Sequence, residues 1–240
     1  MLVKDSAKRD LTAGITLILV FVIWTLLILH VDVQPVGVNK TNVGFSTLNV
    51  WFHRLTGVHL TIYTITDWLG LVPILVCMCF GAVGFVQLIR RRKLFKVDHD
   101  ILLLGLFYIF VIIGYLVFEM IPINYRPILI DGHMEASYPS STTLLVLSVM
   151  PTLKHQVDRR VTSISLRKAT TAFVILFTSF MVIGRTVAGV HWLTDILGSV
   201  FLSAGLFLLY RSAVKMLDRK TGEIDESEEK YENTGSERES

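Results

Sequence analysis

The strongest constraint on the fold is a regular alternation of long uncharged apolar runs with short charged clusters. A helix needs about 20 apolar residues to cross a bilayer. Six runs reach or approach this length, at residues 11–31, 68–89, 101–121, 142–153, 169–183 and 192–210. The overall hydrophobic fraction of 52% would not by itself distinguish the chain from a soluble protein. The pattern therefore predicts an all-α, polytopic membrane protein with six transmembrane helices.

The basic residues predict how these helices are oriented. Lysines and arginines precede the first run and follow the second, fourth and sixth runs. Because cytoplasmic loops carry the excess of basic residues, both termini and both basic loops should be cytoplasmic in a cell-membrane protein. The loops 32–67, 122–139 and 185–191 would then lie at the outer face. The net charge of +3 is small and gives no indication of nucleic-acid binding.

The domain organisation follows from the same pattern. Residues 1–212 should form one six-helix membrane domain. Residues 213–240 are charged, rich in glutamate and poor in apolar residues, which predicts a disordered cytoplasmic tail.

One short segment between the last two apolar runs carries an arginine, a histidine and an aspartate. His191 and Asp195 are four residues apart, so they would share one face of a helix. A carboxylate beside an imidazole fixes its tautomer and raises its basicity, as in an activated nucleophile or base. Arg185 offers a planar set of donors suited to phosphate oxygens. The alternative interpretation is a histidine and an aspartate that cap a membrane helix.

The middle outer loop adds groups that bind anions. Arg126 precedes a proline, which places a cation at a rigid turn. Pro139, Ser140 and Ser141 precede an apolar helix, whose first N–H groups would be unpaired at the positive end of the helix dipole. The loop therefore predicts an anion site, with a plain helix cap and an interfacial arginine as the alternative.

Together these segments resemble the motifs of the type 2 phosphatidic acid phosphatase family, which is related to vanadium haloperoxidases. That family carries Lys, six residues and Arg-Pro; then Pro-Ser-Gly-His; then Ser-Arg, five residues, His, three residues and Asp. Arg126 matches the end of the first motif, and Ser140 matches the second. The third motif is matched, with both spacings, by Arg185, His191 and Asp195.

The resemblance implies a six-helix membrane core and a phosphatase that needs no metal or other cofactor. It implies that His191 is the nucleophile that becomes phosphorylated, and that Asp195 orients it. It also implies that phosphate oxygens are held by Arg126, Ser140, Ser141 and Arg185.

Two departures from the family pattern matter for the chemistry, besides Ser141 in place of the second-motif glycine and the milder replacement of the third-motif serine by Gly184. Glu119 occupies the lysine position of the first motif, where a carboxylate repels phosphate unless it is protonated, distant or paired with an arginine. Thr142 replaces the histidine of the second motif, which in the family protonates the departing oxygen. The pKa of a threonine hydroxyl is far too high for that role. His133 and Glu135, in the same loop, are candidate substitutes for this acid.

Two functions from different classes follow. The chain is either a lipid-phosphate phosphatase, acting at the outer face on a polyprenyl diphosphate or a phosphatidic acid-like lipid, or a non-catalytic relative that binds a lipid phosphate headgroup or a membrane partner. A channel or transporter has little support, because most ionisable residues lie at the ends of the apolar runs. The sequence makes no prediction of the oligomeric state.

Overall fold

Eight α-helices account for most of the described chain. A computed structural model describes the backbone of residues 2–236 and the side chains of residues 5–221. The helices are α1 (Leu2–His30), α2 (Ser46–Thr56), α3 (Leu60–Leu69), α4 (Leu71–Arg91), α5 (His99–Met120), α6 (Ser141–Arg160), α7 (Ile164–Val187) and α8 (Leu193–Ser236). Within these described residues there is no extended strand, so the predicted all-α class is confirmed.

Five segments of the described chain are long and apolar enough to cross a membrane. The helices α3 and α4 form one of them, because they follow each other directly at Gly70. The segments are Asp5–His30, Leu60–Arg91, His99–Met120, Ile164–Val187 and Leu193–Thr221. The remaining predicted span, residues 142–153, corresponds to α6, which has sufficient length but a more polar sequence. The prediction of a six-helix membrane bundle therefore holds approximately.

The polarity of α6 follows from its position at the centre of the bundle. This helix contacts α4, α5, α7 and α8. Its polar side chains are buried and bonded to other helices: Thr152 Oγ1 lies 2.8 Å from Tyr108 Oη, and Gln156 Nε2 donates to Tyr210 Oη at 2.7 Å. Because α6 faces protein on most sides, it does not need the uniformly apolar surface of a lipid-facing helix.

The outer helices carry their large apolar side chains on the outside. Exposed residues of this kind are frequent on α1, α4, α5 and α7, including Leu19, Phe85, Phe110 and Leu176. A soluble protein would not present such extensive apolar surface to water. The chain is therefore a multi-pass membrane protein.

The connection into the second span differs from the sequence prediction. The sequence pattern assigns residues 32–67 to a loop before the second apolar run. Instead, α2 ends at Thr56, the chain turns at Gly57 with a positive φ of 71°, and α3 begins at Leu60. The second span therefore starts before Trp68, and Asp67 belongs to a helix and not to a loop.

The last helix continues well beyond the predicted end of the membrane domain. Val214 is fully buried, and Asp218 pairs with Arg159 at 2.6 Å, so packed contacts extend past residue 212. The backbone of α8 is helical up to Ser236, whereas residues 237–240 lie outside the described residues. Disorder of the tail stays a prediction for the residues that follow Asp218.

The first and last helices pack against each other along their length. Arg211 on α8 donates to both oxygens of the buried Asp10 on α1, at 2.7 and 2.5 Å. Lys215 Nζ reaches the same carboxylate at 2.6 Å. Towards the other end, Trp24 Nε1 donates to the carbonyl oxygen of Thr194 at 3.1 Å. The start of α8 is thus held by α1.

Candidate functional site

A short hairpin between α5 and α6 aligns the groups of the middle loop. The chain turns at Asp131 and Gly132, which both have positive φ values, as a two-residue hairpin turn requires. Arg126 N donates to Glu135 O at 3.1 Å, and Ser137 N donates to Asn124 O at 2.9 Å. This pairing places the side chains of Asn124, Arg126, Glu135 and Ser137 at the base of the hairpin.

The other half of the site is the tight connection between α7 and α8. Gly189 has a φ of 70°, and a Cβ atom there would lie 2.0 Å from the carbonyl oxygen of Gly57. Only glycine fits this close approach. Asp195, the third residue of α8, accepts a hydrogen bond from Trp192 N at 2.9 Å, which caps the helix. His191 therefore lies just before the helix, and not on it as the four-residue spacing suggested.

The hydrogen bonds of His191 fix its tautomer. Its Nδ1 lies 3.1 Å from the carbonyl oxygen of Ser137, which can only accept. Nδ1 must therefore carry the proton, and Nε2 keeps its lone pair. No described residue provides a hydrogen-bond partner for Nε2, although His191 is only 4% exposed. This arrangement presents a buried, neutral nitrogen nucleophile.

Asp195 reaches His191 through a serine. Its Oδ2 lies 4.0 Å from His191 Nδ1, too far for a hydrogen bond. Ser137 Oγ lies between them, 3.1 Å from Nδ1, and donates to Oδ2 at 2.5 Å. Asn124 Nδ2 donates to Oδ1 at 3.3 Å. Ser137 and Asn124 were not singled out from the sequence, since serine and asparagine in a polar loop carry no distinguishing signal.

Two buried guanidinium groups lie near the imidazole. Arg185 is 1% exposed and Arg126 is 8% exposed. Both stack against the ring of Tyr63, at 4.9 and 5.6 Å from its centroid. Among the described residues, Nε of each arginine and Nη1 of Arg126 have no hydrogen-bond partner. Buried donors of this kind are normally paired, so the unpaired nitrogen atoms of Arg126 and Arg185 are suited to hold an anion.

The second predicted group, at the start of α6, lies beside this pocket. Ser140 is fully buried; its Oγ lies 3.0 Å from Thr143 Oγ1, and its N donates to Asp195 O at 3.3 Å. The serine hydroxyl thus already has a protein partner. Ser141 and Thr142 form the first turn of α6, where N–H groups have no partner within the helix.

The three remaining titratable candidates, Glu119, His133 and Glu135, occupy different positions. Glu135 pairs with Arg126, with Oε2 3.0 Å from Nη2. Glu119 is exposed at the end of α5 and lines the same small polar cavity of about 260 Å³ as Arg126, Glu135 and Ser141. His133 lies at the exposed tip of the hairpin. The carboxylate that pairs with an arginine is therefore Glu135, whereas the side chains of Glu119 and His133 are exposed.

A larger apolar cavity of about 540 Å³ adjoins the site. Its walls come from the end of α3 and from α4, α5 and α6, and it shares Tyr115 and Ser141 with the small polar cavity. Its polar side chains include Asp67, Ser141 and Thr142, whereas most of its lining residues are leucine, isoleucine and valine. This largely apolar space therefore adjoins the polar cavity that Arg126 lines.

The environment of His191 predicts the pH dependence of any reaction at this site. Burial, together with the positive charges of Arg126 and Arg185, holds the pKa of His191 well below its usual value of 6.5. Protonation would block Nε2, so a lowered pKa of His191 keeps the lone pair of Nε2 available at lower pH. We expect kcat/KM to show no loss at pH 6.5 and to fall only well below it.

This expectation is checked by a pH–rate profile from pH 8 to pH 5, corrected for the ionisation of the substrate phosphate measured by ³¹P NMR. A loss of activity centred near pH 6.5 after that correction would contradict a buried, neutral His191.

Comparisons with known proteins agree with this architecture. Residues 119–219, which contain the hairpin, α6, α7 and the start of α8, match the family model of the PAP2 superfamily. The fold is similar to the crystal structure of the first transmembrane PAP2 type phosphatidylglycerolphosphate phosphatase from Bacillus subtilis, with a TM-score of 0.61 and 17% identity over 85% of this chain and 96% of that one. No curated protein sequence matches the chain. The resemblance predicted from the motifs is therefore confirmed.

Proposed function

We propose that the protein is a membrane lipid-phosphate phosphatase that hydrolyses a lipid diphosphate, such as a polyprenyl diphosphate, through a phosphohistidine intermediate. The observation that carries this proposal is the buried, unpartnered Nε2 of His191 beside the two buried guanidinium groups of Arg126 and Arg185. A nucleophile and a pocket for phosphate oxygens are what phosphoryl transfer to a protein side chain requires.

The first half-reaction follows from these groups. Nε2 of His191 attacks the terminal phosphorus, and the bond to the leaving oxygen breaks. Arg126, Arg185 and the N–H groups at the start of α6 stabilise the charge on the phosphoryl oxygens. The imidazole becomes positively charged as the N–P bond forms, and the Ser137–Asp195 pair stabilises that charge through Nδ1. Asp195 thus acts on His191 by way of Ser137.

A lipid substrate is supported by the apolar cavity beside the site. Ser141 lines both this cavity and the small polar cavity beside Arg126, and Thr142 lines the apolar one. An isoprenoid or acyl chain in the cavity would bury its surface against leucine and isoleucine side chains, at about 25 cal/mol per Å². The headgroup would then lie at His191.

The preference for a diphosphate is supported by Thr142. A phosphate monoester must expel an alkoxide, which needs a proton donor, whereas a diphosphate expels a phosphate group whose second pKa is about 6. Glu135 is engaged with Arg126 and His133 lies at the exposed hairpin tip, so neither candidate substitute acid is placed at the leaving oxygen.

An outer-face site is supported by the distribution of charge along the bundle. The ends of α4 and α6 and the start of α5 carry a network in which Arg91 pairs with Asp98, and Arg159 and Arg160 pair with Asp100. This basic end lies opposite the hairpin. If it is cytoplasmic, both termini are cytoplasmic as well, and the phosphate pocket faces the outer leaflet.

The topology can be tested with single cysteines in a background lacking Cys77 and Cys79. Met134→Cys lies at the hairpin and should react with a membrane-impermeant maleimide in intact cells. The matched control, Phe95→Cys, is in the highly exposed turn at the basic end and should react only after permeabilisation. The opposite labelling pattern would contradict the outer-face site.

A second candidate function is binding of a lipid phosphate headgroup without turnover. The observation that favours it is the Glu135 carboxylate on Arg126, which reduces the positive charge available to a phosphate. Phosphate release from a panel of lipid mono- and diphosphates, measured with the purified protein, decides between the two. Binding of these lipids with no release by the wild-type protein would favour the binder.

A further inference from the structure

Asp67 is a carboxylate at the site that lies outside the three motifs. Its Oδ1 is 3.5 Å from Nη1 of Arg185, and the two side chains differ sharply in exposure, at 56% and 1%. The neighbouring Thr66 is buried, and its Oγ1 lies 3.5 Å from the same Nη1. Asp67 therefore lies between the buried guanidinium group of Arg185 and a space that is accessible from outside the protein.

That space is the mouth of the apolar cavity. Asp67, Ser141 and Thr142 line it together, and the junction of α3 and α4 packs against Thr142, since a Cβ atom on Gly70 would lie 3.6 Å from Thr142 Cγ2. The carboxylate thus lies beside the position where the acid of the second motif is missing. The Asp67 side chain is 56% exposed, whereas that of His191 is 1% exposed.

The two other carboxylates that make polar contacts within the site are less suited to handle a water molecule. Asp195 is fully buried and already accepts hydrogen bonds from Ser137, Trp192 and Asn124. Glu135 makes the shorter contact with its arginine, 3.0 Å, and is less exposed, at 39%. Asp67 has the looser ion pair and the greater exposure, so one of its oxygens remains available to accept a proton.

We propose that Asp67 is the general base of the second half-reaction, in which water hydrolyses the phosphohistidine. This inference rests on the proposed function. The water oxygen forms a bond to phosphorus while its proton passes to the Asp67 carboxylate. The P–Nε2 bond breaks, and its electron pair returns to Nε2, which restores the neutral imidazole with its proton on Nδ1. Orthophosphate leaves, and Asp67 releases the proton to solvent.

Arg185 has a double role in this mechanism. It holds a phosphoryl oxygen through its unpaired Nε and keeps the Asp67 carboxylate next to the phosphorus through Nη1. The first half-reaction needs no proton donor when the leaving group is a phosphate, so Asp67 can remain ionised throughout that step. Replacing Asp67 should therefore slow the second step selectively.

The test is a rapid-quench experiment with a polyprenyl diphosphate labelled at its terminal phosphate, using the purified full chain in detergent. In Asp67→Asn, we expect steady-state turnover to fall by about 10²–10⁴-fold, the usual contribution of a general base. The lipid monophosphate should appear in a burst of about one equivalent, and labelled phosphohistidine should accumulate. Asp67→Glu should restore part of the turnover and reduce the accumulation.

Glu135→Gln is the matched control, because it removes the arginine-paired carboxylate on the other side of the site and should not cause phosphoenzyme to accumulate. If Asp67→Asn behaves like the wild type, the proposal is overturned. It is also overturned if the variant slows the burst itself and no phosphoenzyme accumulates, because Asp67 would then only position Arg185. If the wild-type protein forms no phosphoenzyme that depends on His191, the proposed function fails as well, which is a distinguishable result.

Discussion

Replacing His191 with alanine should reduce phosphate release from a lipid diphosphate by more than about 10⁴-fold, since removal of a covalent nucleophile typically leaves only residual catalysis from the rest of the site. The buried Nε2 has no described partner, so its loss removes the attacking atom and breaks no structural hydrogen bond there. Turnover measured with the purified variant, together with trapping of labelled phosphoenzyme, tests this directly.

The comparison variants separate catalysis from folding. His30→Ala removes an exposed histidine at the end of α1 and should keep wild-type turnover. Asp195→Asn should retain weak activity, because Nδ1 of His191 still donates to the carbonyl oxygen of Ser137. Full activity in His191→Ala, with the fold intact by circular dichroism, would rule out a phosphohistidine mechanism.

Thr142→His should raise the rate with phosphatidic acid far more than the rate with a polyprenyl diphosphate. A histidine at this position would supply the proton that an alkoxide leaving group needs, and general acid catalysis typically contributes about 10²–10⁴-fold. The diphosphate leaving group gains little, because it departs largely unprotonated at neutral pH. The cavity beside Thr142 provides room for the larger side chain.

The measurement is the ratio of the two rates in the wild type and in Thr142→His. The wild type should favour the diphosphate, and the variant should reduce that preference. A wild-type preference for phosphatidic acid that persists in His133→Ala would show that the leaving-group explanation is wrong.

Much of the bundle and the outline of the site could be predicted from the sequence. The long apolar runs are strong local signals, and the spacing of Arg185, His191 and Asp195 was sufficient to bring them together around the short connection between α7 and α8. The sequence could not distinguish a shared helical face from the observed arrangement, in which Asp195 caps α8 and His191 precedes it. Both arrangements use the same four-residue spacing.

The residues that were missed depend on contacts between distant segments. Ser137 reaches Asp195 because the hairpin folds back on the start of α8, across 58 positions in sequence. Asp67 meets Arg185 because α3 packs against α7. Within its own segment, Asp67 looks only like the polar start of an apolar run, so local sequence patterns contain no signal of its partner.

The pairing of α1 with α8 determines when the site can be completed during synthesis. Helix α1 is synthesised before the other helices described here, and Trp24 and Asp10 find their partners Thr194 and Arg211 only after most of α8 up to Arg211 has been made. Arg126 precedes His191 by 65 positions in the chain. A nascent chain that has not reached α8 therefore contains Arg126 but lacks His191 and Asp195, so the candidate site can form only when α8 has been made and packs against α1.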